Sequence, residues 1–491
     1  MKHQNFIDRD KLYGMLQNNA PTEDQLNDIL NKARKLKGLN LEDVAKLLCV
    51  EDEAGIQKIL DTAHYCKEEI YGKRLVLFAP IYTGNACVNN CVYCGFRRDN
   101  KALKRKILTL DEIETETLHL LRMGHKRALL ICGESPRNDA NYMVEAIRRC
   151  YAAKDEKGST IRRINVELAP MSVEDYAKLK AEKIGTYVCF QETYDEVEYK
   201  KFHPAGTPKA DYLYRLTCMD RAMEGGIDDV GIGVLFGLVD YRFEILAIME
   251  HARHLEEEFG CGPHTVSFPR IEPAEGTPFS LPENIPHPVS DADFMKIIAI
   301  IRIAMPYTGI IISTRERPEM RDRLVKYGVS QISAASETNP GGYDEDAGSP
   351  TEVSATLSSS KKKHSEAKPY EKTGDTGAQF TLGDHRSLDE VISMMIDGGY
   401  IPSFCTGCYR KGRVGADFMD LAKPGLIKEY CKPNAMFTFR EYLEDYASPA
   451  TKEKGLRLLK ELTQTFTKEE LKKRVEGNLC KIGDGERDLY F

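Results

Sequence analysis

Eight short apolar runs, each followed by a helix-patterned stretch, constrain the fold of this 491-residue chain more than any other feature. They fall at 75–81, 128–132, 164–168, 188–191, 230–236, 264–268, 310–313 and 331–334. Repeated strand–helix units with buried strands imply a parallel sheet covered by helices, and eight of them permit an α/β fold of the closed (βα)8 TIM type. A six-unit partial barrel is the alternative. In either fold the loops after the strands form the active face.

The flanks read differently. Residues 1–71 mix charged and apolar positions at helical spacing and are expected to form a helical extension before a barrel spanning 72–343. Thr109-Leu-Asp-Glu112 is a capping box opening a helix that ends near Gly124. Residues 344–378 turn to Ser, Thr, Gly, Lys and Glu and are expected to be a disordered insertion, His364 within it being solvated rather than a ligand. Residues 379–491 form a mainly helical C-terminal domain. With 30% charged residues and a formal net charge of −7, no basic field recruits nucleic acid or an anionic membrane. No run approaches a membrane span, and the N-terminus lacks an apolar signal core. Fourteen cysteines without a disulfide framework point to a reducing, cytoplasmic setting. Cys49, Cys66, Cys132, Cys150, Cys189, Cys218, Cys261 and Cys480 read as small buried hydrophobes.

The other six cysteines form two triads. Gly84-Asn-Ala-Cys-Val-Asn-Asn-Cys-Val-Tyr-Cys-Gly95 places Cys87, Cys91 and Cys94 at C-x3-C-x2-C spacing directly after the first strand. Zinc would need a fourth ligand, whereas a [4Fe–4S] cluster on three cysteines leaves one iron open. Cys405, Cys408 and Cys431, at C-x2-C-x22-C, repeat the deficit and suit a second cluster, with a zinc knuckle completed by His385 as the alternative.

The first triad, with Tyr93 before its last cysteine, resembles the radical S-adenosylmethionine (SAM) enzymes. In that superfamily the open iron chelates SAM and the cluster's electron yields a 5′-deoxyadenosyl radical. The resemblance implies that Gly133-Glu134 after the second strand, where Cys132 replaces the first glycine of the family motif, contacts the methionyl amino group. Alone, that dipeptide is an ordinary turn. Glu167 could face the ribose or amino group, or form an interior ion pair. Gln191-Glu-Thr-Tyr194 and the segments His203–Gly206 and Asp211–Leu216 resemble the aromatic amino acid lyase branch, and Tyr93 and Gln191 join the expected cofactor contacts.

The segment Cys405 to Met419, the second triad and the terminal Arg487-Asp-Leu-Tyr-Phe491 closely resemble the tyrosine lyases that mature [FeFe]-hydrogenase. The resemblance runs through most of the chain. It implies cleavage of tyrosine to p-cresol and dehydroglycine, then formation of carbon monoxide, cyanide and an iron carbonyl cyanide unit. It also implies two [4Fe–4S] clusters, one carrying an additional labile iron held by His264 and bridged by a free cysteine, together with maturation scaffold proteins and a low-potential electron donor as partners. On the residues alone His264 is an ordinary core histidine. Arg315, with Ser333 and Ser336, is expected to clamp the substrate carboxylate; a rim ion pair or hydrogen bond is the plainer reading of all three. A thiamin-pathway 2-iminoacetate synthase lacking the second triad and a non-catalytic iron–sulfur carrier are the alternatives.

Overall fold

The computed structural model describes residues 3–17, 19–345, 377–422 and 427–491. Strands β1 (Arg74–Gly84), β2 (Arg127–Cys132), β3 (Arg163–Glu167), β4 (Thr186–Glu192), β5 (Asp229–Val234), β6 (Thr265–Ser267), β7 (Gly309–Ile312) and β8 (Gln331–Ser333) are parallel neighbours in chain order. β1 also pairs with β8, through Val76↔Gln331 to Phe78↔Ser333, and this closes the barrel and sets aside the six-unit alternative. All eight expected runs are strands.

The closure follows from strand length. β1 has 11 residues against six in β2, so its upper half pairs with β2 from Ala79 onward and its lower half is left over on that edge. A ninth strand, β9 (Ile401–Ser403), fills the gap by pairing parallel with Arg74–Val76. β9 leaves no periodic signal, since three residues including a proline are too few to show one; Pro402 is tolerated because the strand is short and peripheral.

Four helices precede the barrel: α1 (Arg9–Met15), α2 (Glu23–Ala33), α3 (Leu41–Leu48) and α4 (Glu53–Tyr71). Between strands lie α5 (Leu110–Met123), α6 (Ala140–Ala152), α7 (Val173–Ala181), α8 (Glu196–Phe202), α9 (Tyr212–Leu216), α10 (Cys218–Glu224), α11 (Tyr241–Phe259), α12 (Asp291–Ala304) and α13 (Pro318–Tyr327). The Thr109 capping box starts α5, and Gly124 ends it in the left-handed conformation. After α14 (Gly342–Glu345), the expected insertion and His364 lie outside the described residues, apart from 344–345 and 377–378. Residues 379–384, on the C-terminal side of the expected boundary, pack on the barrel: Gly95 N–H donates to Gln379 O at 3.2 Å, and Arg321 pairs with Asp384. The C-terminal unit comprises α15 (Leu388–Asp397), α16 (Gly407–Arg410), α17 (Gly415–Ala422), α18 (Ile427–Asp445), α19 (Pro449–Gln464) and α20 (Glu469–Gly483), with α18 packed on β9, α19 and α20.

Strand alternation turns residues 74, 76, 78, 80 and 82 of β1 inward, where they line the lower and upper interior. Of the cysteines outside the triads, Cys66, Cys150, Cys189, Cys218 and Cys261 are buried as expected, but Cys49 and Cys132 are half-buried and Cys480 is exposed on α20. Among the described residues no helix is long and apolar enough to cross a membrane.

Arg302 on α12 secures the floor of the barrel. Its fully buried guanidinium donates to Pro306 O at 2.7 Å, Thr308 O at 2.9 Å and, through two nitrogens, Gly328 O at 3.0 and 2.7 Å. These carbonyls belong to the turns before β7 and β8. Arg302→Met should leave them unpaired and lower the unfolding free energy by about 3 kcal/mol, read as a fall in denaturant midpoint; a loss below about 1 kcal/mol would contradict this role.

Candidate active sites at the two mouths of the barrel

The loop after β1 is folded on its own polar groups. Asn85 donates to Lys104 O at 2.9 Å and accepts from Lys106 N–H at 2.7 Å, and Arg105 donates to Asn85 O and Phe96 O, both at 2.8 Å. This tie holds Cys87, Cys91 and Cys94 together at the upper mouth. Burial, then the neighbouring thiols, pushes Cys94 up to about 12, and burial raises Cys91 as well, so these two favour thiols until a cation compensates thiolates. Each iron of a four-iron cluster takes one thiolate, which suits three cysteines of this kind. Among the described residues, no three His, Cys, Asp or Glu side chains are grouped as chelators of a single ion.

Gly133 and Glu134 lie against the same loop. Gly133 N–H donates to Gly84 O at 2.8 Å, and a Cβ there would come within 2.6 Å of Ala86 O and 3.1 Å of Cys87 Cβ, so a side chain is excluded. Val88 N–H donates to Glu134 O at 2.7 Å, and Asn89 Nδ2 donates to the Glu134 carboxylate at 2.6 Å. The Tyr93 hydroxyl is engaged inside the protein, 2.8 Å from His203 Nε2. His203 Nδ1 lies 2.9 Å from Tyr199 O and must donate there, so Nε2 accepts from Tyr93.

Arg315, Ser333, Ser336 and Glu167 line one cavity in the upper barrel, with Asn165 and Phe380. The Arg315 guanidinium lies 3.3 Å from the Phe380 ring centroid and has no ion-pair partner among the described residues. Ser336 Oγ is buried and likewise has no hydrogen-bond partner among them, while Ser333 Oγ accepts from Thr314 N–H at 3.2 Å. Burial, then Glu192, pushes the Glu167 carboxyl up to about 7 against the pull of Arg315. Gln191 is elsewhere: a register shift between Phe190 and Glu192 turns it toward Tyr212 O, at 3.5 Å.

Glu192, the next residue, resumes the pairing with β5 opposite Val234. It has φ +70°, uncommon for a residue with a side chain, and its carboxylate meets Lys209 Nζ at 2.6 Å and Arg215 at 3.9 Å. Although burial opposes ionisation, Lys209 and Arg215 hold Glu192 below the usual carboxylate range. Glu192, Lys209, Arg215, Asn89 and Gln379 also lie around the first triad, and sequence reasoning does not single them out. Lys209 and Arg215 fall within or beside the lyase-like segments, and Gln379 was hidden at the edge of the low-complexity stretch.

At the opposite mouth, β9 delivers Cys405 and α16 delivers Cys408 beneath the strand starts, and both line one pocket with Cys431 and His264. His264, not His385, is the histidine of this pocket. Its Nε2 lies 2.9 Å from the Tyr409 hydroxyl and its Nδ1 3.6 Å from Asp229. Burial holds the imidazole below its ordinary value, so its neutral, metal-binding form is favoured. The hydrogen bond from Cys408 pulls the Cys431 thiol down against its burial, and Arg74 and Arg413 add to the effect.

The upper geometry makes a pH prediction. If Glu167 accepts from the cationic cofactor, its carboxylate must be ionised, so SAM affinity should fall as pH drops from 8 to 6, by about fivefold to tenfold for a group titrating near 7. Equilibrium titration should show the slope lost in Glu167→Gln; an unchanged slope would remove Glu167 from the contact.

Residues 81–252 match the radical SAM superfamily, and residues 267–401 match the biotin and thiamin synthesis associated domain. The chain is 31% identical to 2-iminoacetate synthase of Escherichia coli strain K12, over 64% of this chain and 80% of that enzyme. A solved HydG, described as a maturase of the [FeFe]-hydrogenase, is 44% identical over 99% of this chain and 100% of its own, with a TM-score of 0.90. HydG from Carboxydothermus hydrogenoformans is 40% identical over 96% and 97% of the two chains, with a TM-score of 0.79. The chain therefore belongs to the radical SAM superfamily and, within it, to the HydG family of [FeFe]-hydrogenase maturases.

Proposed function

We propose that this chain cleaves tyrosine to p-cresol and dehydroglycine at the upper mouth and converts dehydroglycine to carbon monoxide and cyanide at the lower one, for an iron carbonyl cyanide unit used in [FeFe]-hydrogenase assembly. The observation that carries the reading is the second cysteine triad, with His264, at the opposite end of the barrel from the first. Full-length similarity to HydG maturases supports it.

The radical SAM family implies a [4Fe–4S] cluster and SAM. Cys87, Cys91 and Cys94 would hold that cluster, and when bound the pair supplies a 5′-deoxyadenosyl radical. Gly133 gives backbone access beside it, and the Glu134 and Glu167 carboxylates are suited to the amino and ribose groups of SAM. Arg315, lacking a carboxylate partner among the described residues, would take the tyrosine carboxylate, with Ser336 Oγ as a further donor. The enclosing strands keep water from the reacting atoms. Breaking the tyrosine Cα–Cβ bond leaves the imino acid HN=CH–COO⁻, whose atoms and charge equal those of CO, CN⁻ and H2O together.

Cys405, Cys408 and Cys431 would hold a second cluster. His264 would contribute imidazole to an additional labile iron, the cargo of the reaction, with a free cysteine as its bridge. A low-potential donor would reduce the upper cluster, and hydrogenase maturation scaffold proteins would accept the product.

Stopping at the imino acid, as a 2-iminoacetate synthase, is the second reading, favoured by the 31% identity to that enzyme. Anaerobic turnover with tyrosine, SAM and dithionite separates the two. We expect p-cresol together with carbon monoxide captured on ferrous haem; p-cresol alone would favour the second reading, and neither product would defeat both. In Cys405→Ala/Cys408→Ala, p-cresol should persist while carbon monoxide is lost, and retained carbon monoxide would contradict the assignment of the two mouths.

A further inference from the structure

The lower mouth contains a cluster of cations that the reading above leaves without a task. Arg74, Arg127 and Arg163 are the first residues of β1, β2 and β3, three neighbouring strands, and Arg127 and Arg163 are direct cross-strand partners. Arg127 and Arg163 are buried, and Arg74 is half-buried with its Nε out of solvent. Like charges placed opposite one another in a sheet destabilise it, and buried guanidiniums need partners for their donors.

The partners are incomplete. Arg127 Nη1 donates to Cys405 O at 2.8 Å; Arg163 donates to Asn165 Oδ1 at 2.8 Å and Thr186 Oγ1 at 2.9 Å, and stacks on the Tyr409 ring. Yet Arg74 Nε, Arg127 Nε and Arg163 Nη1 are all buried with no hydrogen-bond partner among the described residues. Among the described residues one carboxylate answers them, Asp229, at 3.7 Å from Arg163. Nor does the second cluster supply the missing charge: a two-plus four-iron core on three thiolates is one net negative charge. Asp229 and the cluster thus face a surplus of guanidiniums, Arg413 beside Cys431 among them, and Arg74 Nε, Arg127 Nε and Arg163 Nη1 remain without acceptors among the described residues.

We propose that Arg74, Arg127 and Arg163 form a receptor for the carboxylate of a two-carbon α-imino or α-keto acid at the lower mouth. The proposal rests on the function proposed above and adds to it what stops the fragment there. A carboxylate answers a positive surplus, and its two oxygens accept from planar guanidiniums in the geometry arginine favours. The small acid would be held by its carboxylate while its imino carbon stays on the side of His264 and the cysteines. The upper site uses one arginine, Arg315, for the carboxylate of the intact amino acid; the lower site would use three for a fragment with no side chain to bind.

Oxamate, a stable analogue of the imino acid, is the probe. Anaerobic calorimetry uses the reconstituted full-length chain with saturating tyrosine and SAM and no reductant, so that Arg315 is occupied and nothing turns over. We expect one oxamate per chain, with affinity reduced at least tenfold by Arg127→Met or Arg163→Met, as for one lost charged hydrogen bond, and partly recovered in Arg127→Lys. Absence of oxamate binding, or binding unmoved by both Met substitutions, would overturn the proposal. If the substituted chains do not fold, the unsubstituted protein still decides it: oxamate present during turnover should raise the ratio of p-cresol to carbon monoxide, and an unchanged ratio would overturn it. Failure of the tyrosine lyase reading appears separately, as no p-cresol with or without oxamate.

Discussion

The pairing of β1 along its whole length is the constraint on which the rest of the structure depends. Its middle residues close the barrel against β8, its upper half pairs with β2, and its lower end recruits β9. The cysteine loop leaves the top of this strand, and Cys405 follows β9 at its bottom. One strand thus fixes the two triads at opposite ends of a single enclosed space. The 11-residue length of β1 against the six of β2 makes the arrangement possible, because a strand matched to its neighbours would leave no edge for β9.

The two mouths differ in charge. Above, Glu167, Glu192, Lys209, Arg215 and Arg315 place both signs near the cavity, and Glu192 pairs with Lys209 and Arg215 while Arg315 has no carboxylate partner among the described residues. Such a site suits a cofactor and an amino acid that each carry charges of both signs. Below, guanidiniums predominate over the carboxylate of Asp229 among the described residues, and burial favours the neutral histidine. That environment suits thiolate-bound metal and small anions. A barrel can hold both because the side chains at its two ends are separated by apolar layers such as Val76 and Phe78 of β1, so each end keeps its own local field.

Much of this was legible in the sequence where the physics is local. The strands announced themselves as apolar runs, and the triads announced themselves by spacing, because a cluster loop demands ligands within a few residues of one another. Long-range or off-register features were not legible. Gln191 is expected at the cofactor, and the bulge at the end of β4 turns it toward Tyr212 O, a local shift that no periodicity reveals. The three strand-initial arginines stand far apart in the sequence, and their convergence appears only when β1, β2 and β3 stand side by side. β9 was invisible because its strand character comes from the edge it meets. His264 could be placed with the second triad only through resemblance; its own residues read as core.

The central claim is that a fragment made at one mouth reaches the other inside the barrel of the same chain. Mixing two defective chains tests it most directly: one carrying Cys94→Ala, without the upper triad, and one carrying Cys408→Ala, without the lower. Both are reconstituted anaerobically and given tyrosine, SAM and reductant together. Internal passage predicts p-cresol from the mixture with no carbon monoxide above that of either chain alone. Recovery of carbon monoxide in proportion to p-cresol would mean that the fragment travels through solvent, and would contradict the account.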